Sequence, residues 1–108
     1  MFIEIERDIS EIRDKTPYPE QLAMIAEECT ELAQAALKMR RVVDRNASPT
    51  STTKAEAVAS MIEEISDVLT CLLVLGDYIE YLEPAQPVEN VMKYKAVRWQ
   101  NRIREANN

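Results

Sequence analysis

Two short stretches hold the residues that could do chemistry. Glu63-Glu64-Ile65-Ser66-Asp67 places Glu64 and Asp67 three residues apart, so on a helix they share one face. Their row continues into Cys71, Val74 and Tyr78, so two carboxylates lie on a line that turns apolar one turn later. Glu27-Glu28-Cys29-Thr30-Glu31 repeats the spacing, with Glu28 and Glu31 on a row shared by Met24 and Ala35. A soluble helix keeps acids outward and apolar residues inward, and a carboxylate buried alone is costly. Acids beside an apolar seam therefore need a counter-charge. For an all-carboxylate set the fitting ion is a hard divalent cation, Mg²⁺ before Mn²⁺. Two neighbouring helices, each with a spaced pair, would bring Glu28, Glu31, Glu64 and Asp67 within reach of one or two such ions. Mg²⁺ keeps water and accepts substrate phosphates as further ligands. Water on such an ion is acidified enough to attack phosphorus. The plain alternative is two solvated acid faces, because Glu-x-x-Glu is common on exposed helices.

Other chemistries are closed off. The chain has no His, which removes Ser-His-Asp and Cys-His arrangements, a His general base, and the usual Glu-x-x-His di-iron bundle site. Cys29 and Cys71 are far apart in sequence and lack zinc-ligand spacing. They read as two buried free thiols in a reducing compartment.

The elements that must position the acids follow from apolar spacing. Residues 2–14 suggest a short helix on Ile5, Ile9 and Ile12. Thr16-Pro17-Tyr18-Pro19 breaks it and starts the next helix, with Thr16 as a possible cap and Pro in the first turn. That helix runs to about Val43 on the stripe Leu22, Ile25, Cys29, Leu32, Ala36 and Met39, and ends in the cations Lys38, Arg40 and Arg41. Asp44 to Thr53 is a polar loop. Thr53 with Glu56 is a capping-box signature for a third helix over roughly 54–82. Its apolar residues, Leu69, Leu72, Leu73 and Leu75 among them, span more than one side, with Gly76 interrupting. Glu83-Pro84-Ala85-Gln86-Pro87 is a second breaker, and a basic helix follows over about 88–104.

The length fits one small domain over residues 1–108. A single Gly, with Pro only near element ends, gives an all-α class of antiparallel helices around a four-helix core, completed by oligomerisation. A net charge of −6 and a pI near 4.7 argue against nucleic-acid and anionic-membrane partners. Met1 to Ile12 mixes acids, Arg and apolar residues, so no secretory signal is expected, and no apolar run reaches membrane-spanning length. A cytoplasmic protein is the expectation.

The paired motif Glu28-x-x-Glu31 and Glu64-x-x-Asp67, separated by a helix end and a polar loop, resembles the all-α NTP pyrophosphohydrolase superfamily. That group includes MazG-like enzymes, dimeric dUTPases and phosphoribosyl-ATP pyrophosphohydrolase. The stretches Glu27 to Lys38 and Glu63 to Leu69 look specifically MazG-like, and the resemblance covers roughly residues 20–105. It implies a dimer or tetramer that cleaves a nucleoside triphosphate between the α and β phosphates with Mg²⁺, releasing a monophosphate and pyrophosphate. It implies that Glu28, Glu31, Glu64 and Asp67 are metal ligands and the catalytic set, with Glu27 and Glu63 auxiliary. Lys93, Lys95 and Arg98 are the implied phosphate contacts, with Lys38 or Arg41 as the fallback. Tyr18, Tyr78, Tyr81, Tyr94 and Trp99 could stack on a base, although packing is the commoner role of such residues. Two rivals stay open: a non-catalytic helical interaction module, and a pyrophosphohydrolase acting on phosphoribosyl-ATP.

Overall fold

A computed structural model gives four helices among the described residues: α1 (Glu6–Lys15), α2 (Tyr18–Val43), α3 (Lys54–Tyr81) and α4 (Val88–Ala106). The structure describes residues 5–44, 46, 49–81 and 88–108, the last five residues of α3 by backbone alone. The expected helical residues 2–4, the breaker at 83–87 and the side chains of Tyr78 and Tyr81 lie outside that description. The fold is all-α as expected, and no helix among the described residues is long and apolar enough to cross a membrane.

The chain divides into two compact units, Met1–Leu75 and Gly76–Asn108. The first is a helical bundle of α1, α2 and α3 as far as Leu75, in which α2 packs against both α1 and α3. Helices α2 and α3 are antiparallel: Glu31 meets Glu64, while Gln34, Ala35 and Lys38, further along α2, share a groove with Ser60, one turn earlier on α3. The start of α3 follows from Thr53, whose Oγ1 accepts the Glu56 N–H at 3.2 Å and lies 3.0 Å from the Glu56 carboxylate. The hydroxyl thus satisfies one free donor of the first turn.

The start of α2 has the expected proline in its first turn, Pro19, but not the expected Thr16 cap. Pro17 is the residue before the first turn, and no side chain caps it. Thr16 contributes its carbonyl instead, accepting Gln21 Nε2 at 2.8 Å, and Arg13 O accepts the same amide at 3.2 Å. Gln21, only 2% exposed, ties the end of α1 to the start of α2. Arg13 reaches from α1 to α3, donating from Nε to Val74 O at 2.8 Å and from Nη2 to Leu73 O at 2.6 Å. A buried amide and a guanidinium, both on backbone carbonyls, therefore fix how the three helices meet.

The buried apolar residues of this unit are Ile9, Ala35, Ala57, Cys71, Val74 and Leu75. On α2 the inward line is partly rotated from the apolar stripe: Gln21 and Ala35 are buried and Glu28, Ile25, Leu32 and Met39 are half-buried, whereas Leu22, Cys29 and Ala36 are exposed. On α3 the inward line runs through Ala57, Glu64, Asp67, Cys71 and Val74. The opposite side carries Val58, Ile62, Ile65, Leu69 and Leu72, all exposed, at alternating spacings of four and three residues. The expectation that α3 is apolar on more than one side is met.

In the second unit, α4 has no buried residue. Tyr94 and Trp99 are exposed, and Lys93 pairs with Glu89 one turn earlier at 3.4 Å.

Candidate metal centre

The i, i+3 spacing on each helix and the antiparallel register bring the two acid pairs together. One carboxylate oxygen from each of Glu28, Glu31, Glu64 and Asp67 lies within 4.8 Å of all the others. Glu28, Glu64 and Asp67 are half-buried and Glu31 is exposed, so the cluster has a shielded side and an open side. Ala35 and Ser60, beside it on the two helices, are small.

Burial and repulsion act on these acids together. Glu28 is held above its ordinary carboxylate pKa first by burial, then by the charges of Glu31, Asp67 and Glu64, and by a side-chain hydrogen bond with Glu31. Glu64 is raised for the same kind of reason: burial first, then the charge of Glu31 and a hydrogen bond with it, then Asp67 and Glu63. The thiol of Cys71, one turn beyond Asp67, is raised by burial and then by the charges of Glu28, Asp67 and Cys29. Each shift marks negative charge gathered where water is partly excluded.

The residues fit a cation on an observation independent of those shifts. Glu28 Oε2 and Glu64 Oε2 are both shut off from solvent and have no hydrogen-bond partner. Buried carboxylate oxygens without donors are rare, because each costs its full desolvation. One oxygen comes from each helix, and both belong to the cluster; the third such atom among the described residues, Gln21 Oε1, is a neutral amide oxygen at the start of α2. An oxygen-only set of this kind suits Mg²⁺ or Mn²⁺.

Of the remaining expected residues, Glu27 and Glu63 are exposed and stand outside the four-oxygen cluster, Glu63 still adding its charge to Glu64. Lys93, Lys95 and Arg98 are exposed on α4, in the second unit. Cys29, expected inside, is exposed, because the rotation of α2 that turns Glu28 inward turns the next residue out. The structure also shows a groove of about 230 Å³ opening from the cluster, lined by Glu31, Gln34, Ala35, Lys38, Ser60 and Glu64. Gln34 and Ser60 were not anticipated. Their spacing held the signal, since Gln34 follows Glu31 by three residues and Ser60 precedes Glu64 by four.

No protein-family model matches the chain, and neither does any curated protein or solved structure.

Proposed function

We propose that the protein is a Mg²⁺-dependent nucleoside triphosphate pyrophosphohydrolase of the MazG-like kind, cleaving between the α and β phosphates. The observation that carries this reading is the convergence of Glu28, Glu31, Glu64 and Asp67 with two shielded, donorless oxygens among them. These four residues would hold the metal, and Mn²⁺ would serve in its place. The bound ion supplies an acidified water and neutralises phosphate charge. The chain's own part is positional. Two rigid helices fix the carboxylates before substrate arrives, and Glu31 on the open side leaves the approach clear. Hydrolysis adds a water oxygen to the α phosphorus. The α–β bridging bond breaks, and its electron pair leaves with pyrophosphate. Lys93, Lys95 and Arg98, exposed on α4, would be further contacts to substrate. The protein is proposed to be cytoplasmic and to work as a homo-oligomer, which the exposed apolar line on α3 supports.

That same apolar line favours one rival, a helical interaction module that keeps the scaffold without the reaction. Two measurements separate them. A panel of nucleoside triphosphates is assayed for pyrophosphate release with Mg²⁺, and melting is followed with and without millimolar Mg²⁺. An enzyme releases pyrophosphate, and its melting temperature rises, because the ion binds only the folded form. Release from no nucleotide, with melting indifferent to Mg²⁺, leaves the module.

A further inference from the structure

The groove beside the acids has a polarity of its own. At one end stand Glu31 and Glu64, two of the four clustered carboxylates, and at the other stands Lys38, with Gln34 and Ser60 between them. Lys38 follows Glu31 by seven residues, about 10 Å along the helix. Among the described residues it takes part in no ion pair. A structural lysine beside acids would be paired with one. Lys38 is instead exposed and lines the groove together with the small, buried Ala35.

We infer that this groove is the seat of the leaving pyrophosphate, with Lys38 as the cation that receives it; the inference rests on the proposed hydrolysis and adds a direction to it. A triphosphate whose α phosphorus lies at the acids has two ends to place, the nucleoside and the terminal phosphates. The groove's volume of about 230 Å³ falls below the roughly 300–1,000 Å³ that encloses a drug-sized ligand. It is lined by no aromatic or large apolar side chain on which a base could stack. A lysine, an amide and a hydroxyl suit phosphate oxygens: the ammonium offsets charge, and the neutral groups donate hydrogen bonds. The terminal phosphates therefore run along α2 toward its C-terminal end, and the nucleoside leaves from the other side of the cluster. When the α–β bond breaks, its electron pair goes onto the bridging oxygen and departs with pyrophosphate, whose terminal phosphate Lys38 meets at the far end of the groove.

The test uses the whole protein and its two products. Binding of inorganic pyrophosphate with Mg²⁺ is measured by calorimetry for the parent, Lys38→Ala and Lys38→Arg. Inhibition by pyrophosphate and by the monophosphate product is measured alongside. Lys38→Ala should weaken pyrophosphate about tenfold, as loss of one charge-assisted contact would, and leave inhibition by the monophosphate within twofold. Lys38→Arg should restore most of the loss. Pyrophosphate affinity unchanged in Lys38→Ala, or equal weakening of both products, overturns the assignment while the hydrolase reading stands. A parent that releases no pyrophosphate and gains no stability from Mg²⁺ overturns the hydrolase reading and this one with it.

Discussion

On one side of α3, Glu64 and Asp67 face α2 and share a line with buried Cys71 and Val74. On the other, Val58, Ile62, Ile65, Leu69 and Leu72 stand in solvent, Ile62 as much as 63% exposed. The inward side carries two acids among its apolar residues, and the outward side is apolar where ordinary amphipathic order would put polar groups. The inward acids cost stability through repulsion and lost hydration, and the outward apolar line forgoes the gain of burial. The costs differ in what relieves them. Carboxylates drawn together are relieved by a cation, whereas an apolar line with no charged residue in it is relieved by another apolar surface. One helix thus carries two unmet demands, the first for an ion and the second for a neighbour.

The largest effect expected from breaking this contrast is on the inward side. Glu64→Gln and Asp67→Asn should each lower nucleotide hydrolysis by at least about 10²–10³-fold, the range seen when one preorganised electrostatic group is lost. Without metal, both variants should melt at or above the parent's temperature, because a like-charge contact is relieved. An ordinary ion pair predicts the opposite sign, since removing one member strands the other. Destabilisation of both metal-free variants together with retained activity would sink the metal-site reading.

The outward side is tested by charge. Ile62→Lys combined with Leu69→Lys should convert an oligomer to a monomer in sedimentation and remove the dependence of melting on protein concentration. The acid cluster points the other way, so Mg²⁺ should still stabilise the variant. If the parent is already a monomer at every concentration measured, the apolar line is not an interface between copies.

A smaller contrast lies between the two thiols. Cys29 is exposed, whereas Cys71 is buried and its thiol is held in the protonated form by burial and by Glu28 and Asp67. Alkylation by iodoacetamide should modify Cys29 at least about tenfold faster, because the thiolate is the reacting species. Comparable rates, read by peptide mass spectrometry, would place Cys71 outside the packed seam.

How far these features were legible in the sequence depends on what each one rests on. The acid pairs were legible because i, i+3 spacing alone places two carboxylates on one helix face. Thr53 and Glu56 were legible because a cap is a local event. The stripe on α2 is only partly inward: Ile25, Leu32 and Met39 are half-buried like Glu28, whereas Leu22, Cys29 and Ala36 are exposed and Gln21 and Ala35 are buried. Periodicity counts apolar residues and assigns polar ones outward. Here the Gln21 Nε2 finds carbonyl acceptors at Arg13 and Thr16, which satisfies its donors inside the fold, although its Oε1 is buried without a partner. That contact joins one helix to the next and leaves no mark in either helix's own pattern. The cations on α4 stood out by number, whereas Lys38, named only as a fallback contact at the end of α2, is set apart from Arg41 once the groove is seen. A charge run reports composition, and the groove reports placement.

The finest test of the two-sided reading is the pH dependence of metal-free stability. Glu28 and Glu64 have folded pKa values raised above the ordinary 4.5, first by burial and then by their acidic neighbours. Between 4.5 and those raised values the folded protein binds more protons at these sites than the unfolded chain does. Stability from this source is therefore complete below about 4.5 and is lost as pH rises through the folded values. Other carboxylates titrate in the same range, so the informative quantity is a difference from the parent. Glu64→Gln removes one of the two titrations and relieves part of the other, because Glu64 is among the charges that raise Glu28. Its melting temperature relative to the parent should climb by a few degrees as pH is raised from about 4.5 to 8 without metal. Saturating Mg²⁺ should reverse that ordering at pH 8, because the ion favours the ionised cluster that only the parent retains. The outward variant Ile62→Lys with Leu69→Lys serves as the control. It changes stability but should leave the parent's pH slope in place, since its side of α3 holds no titrating acid. A metal-free difference between Glu64→Gln and the parent that stays flat across this range would mean that the four carboxylates do not feel one another, and the inward demand for an ion would fall away.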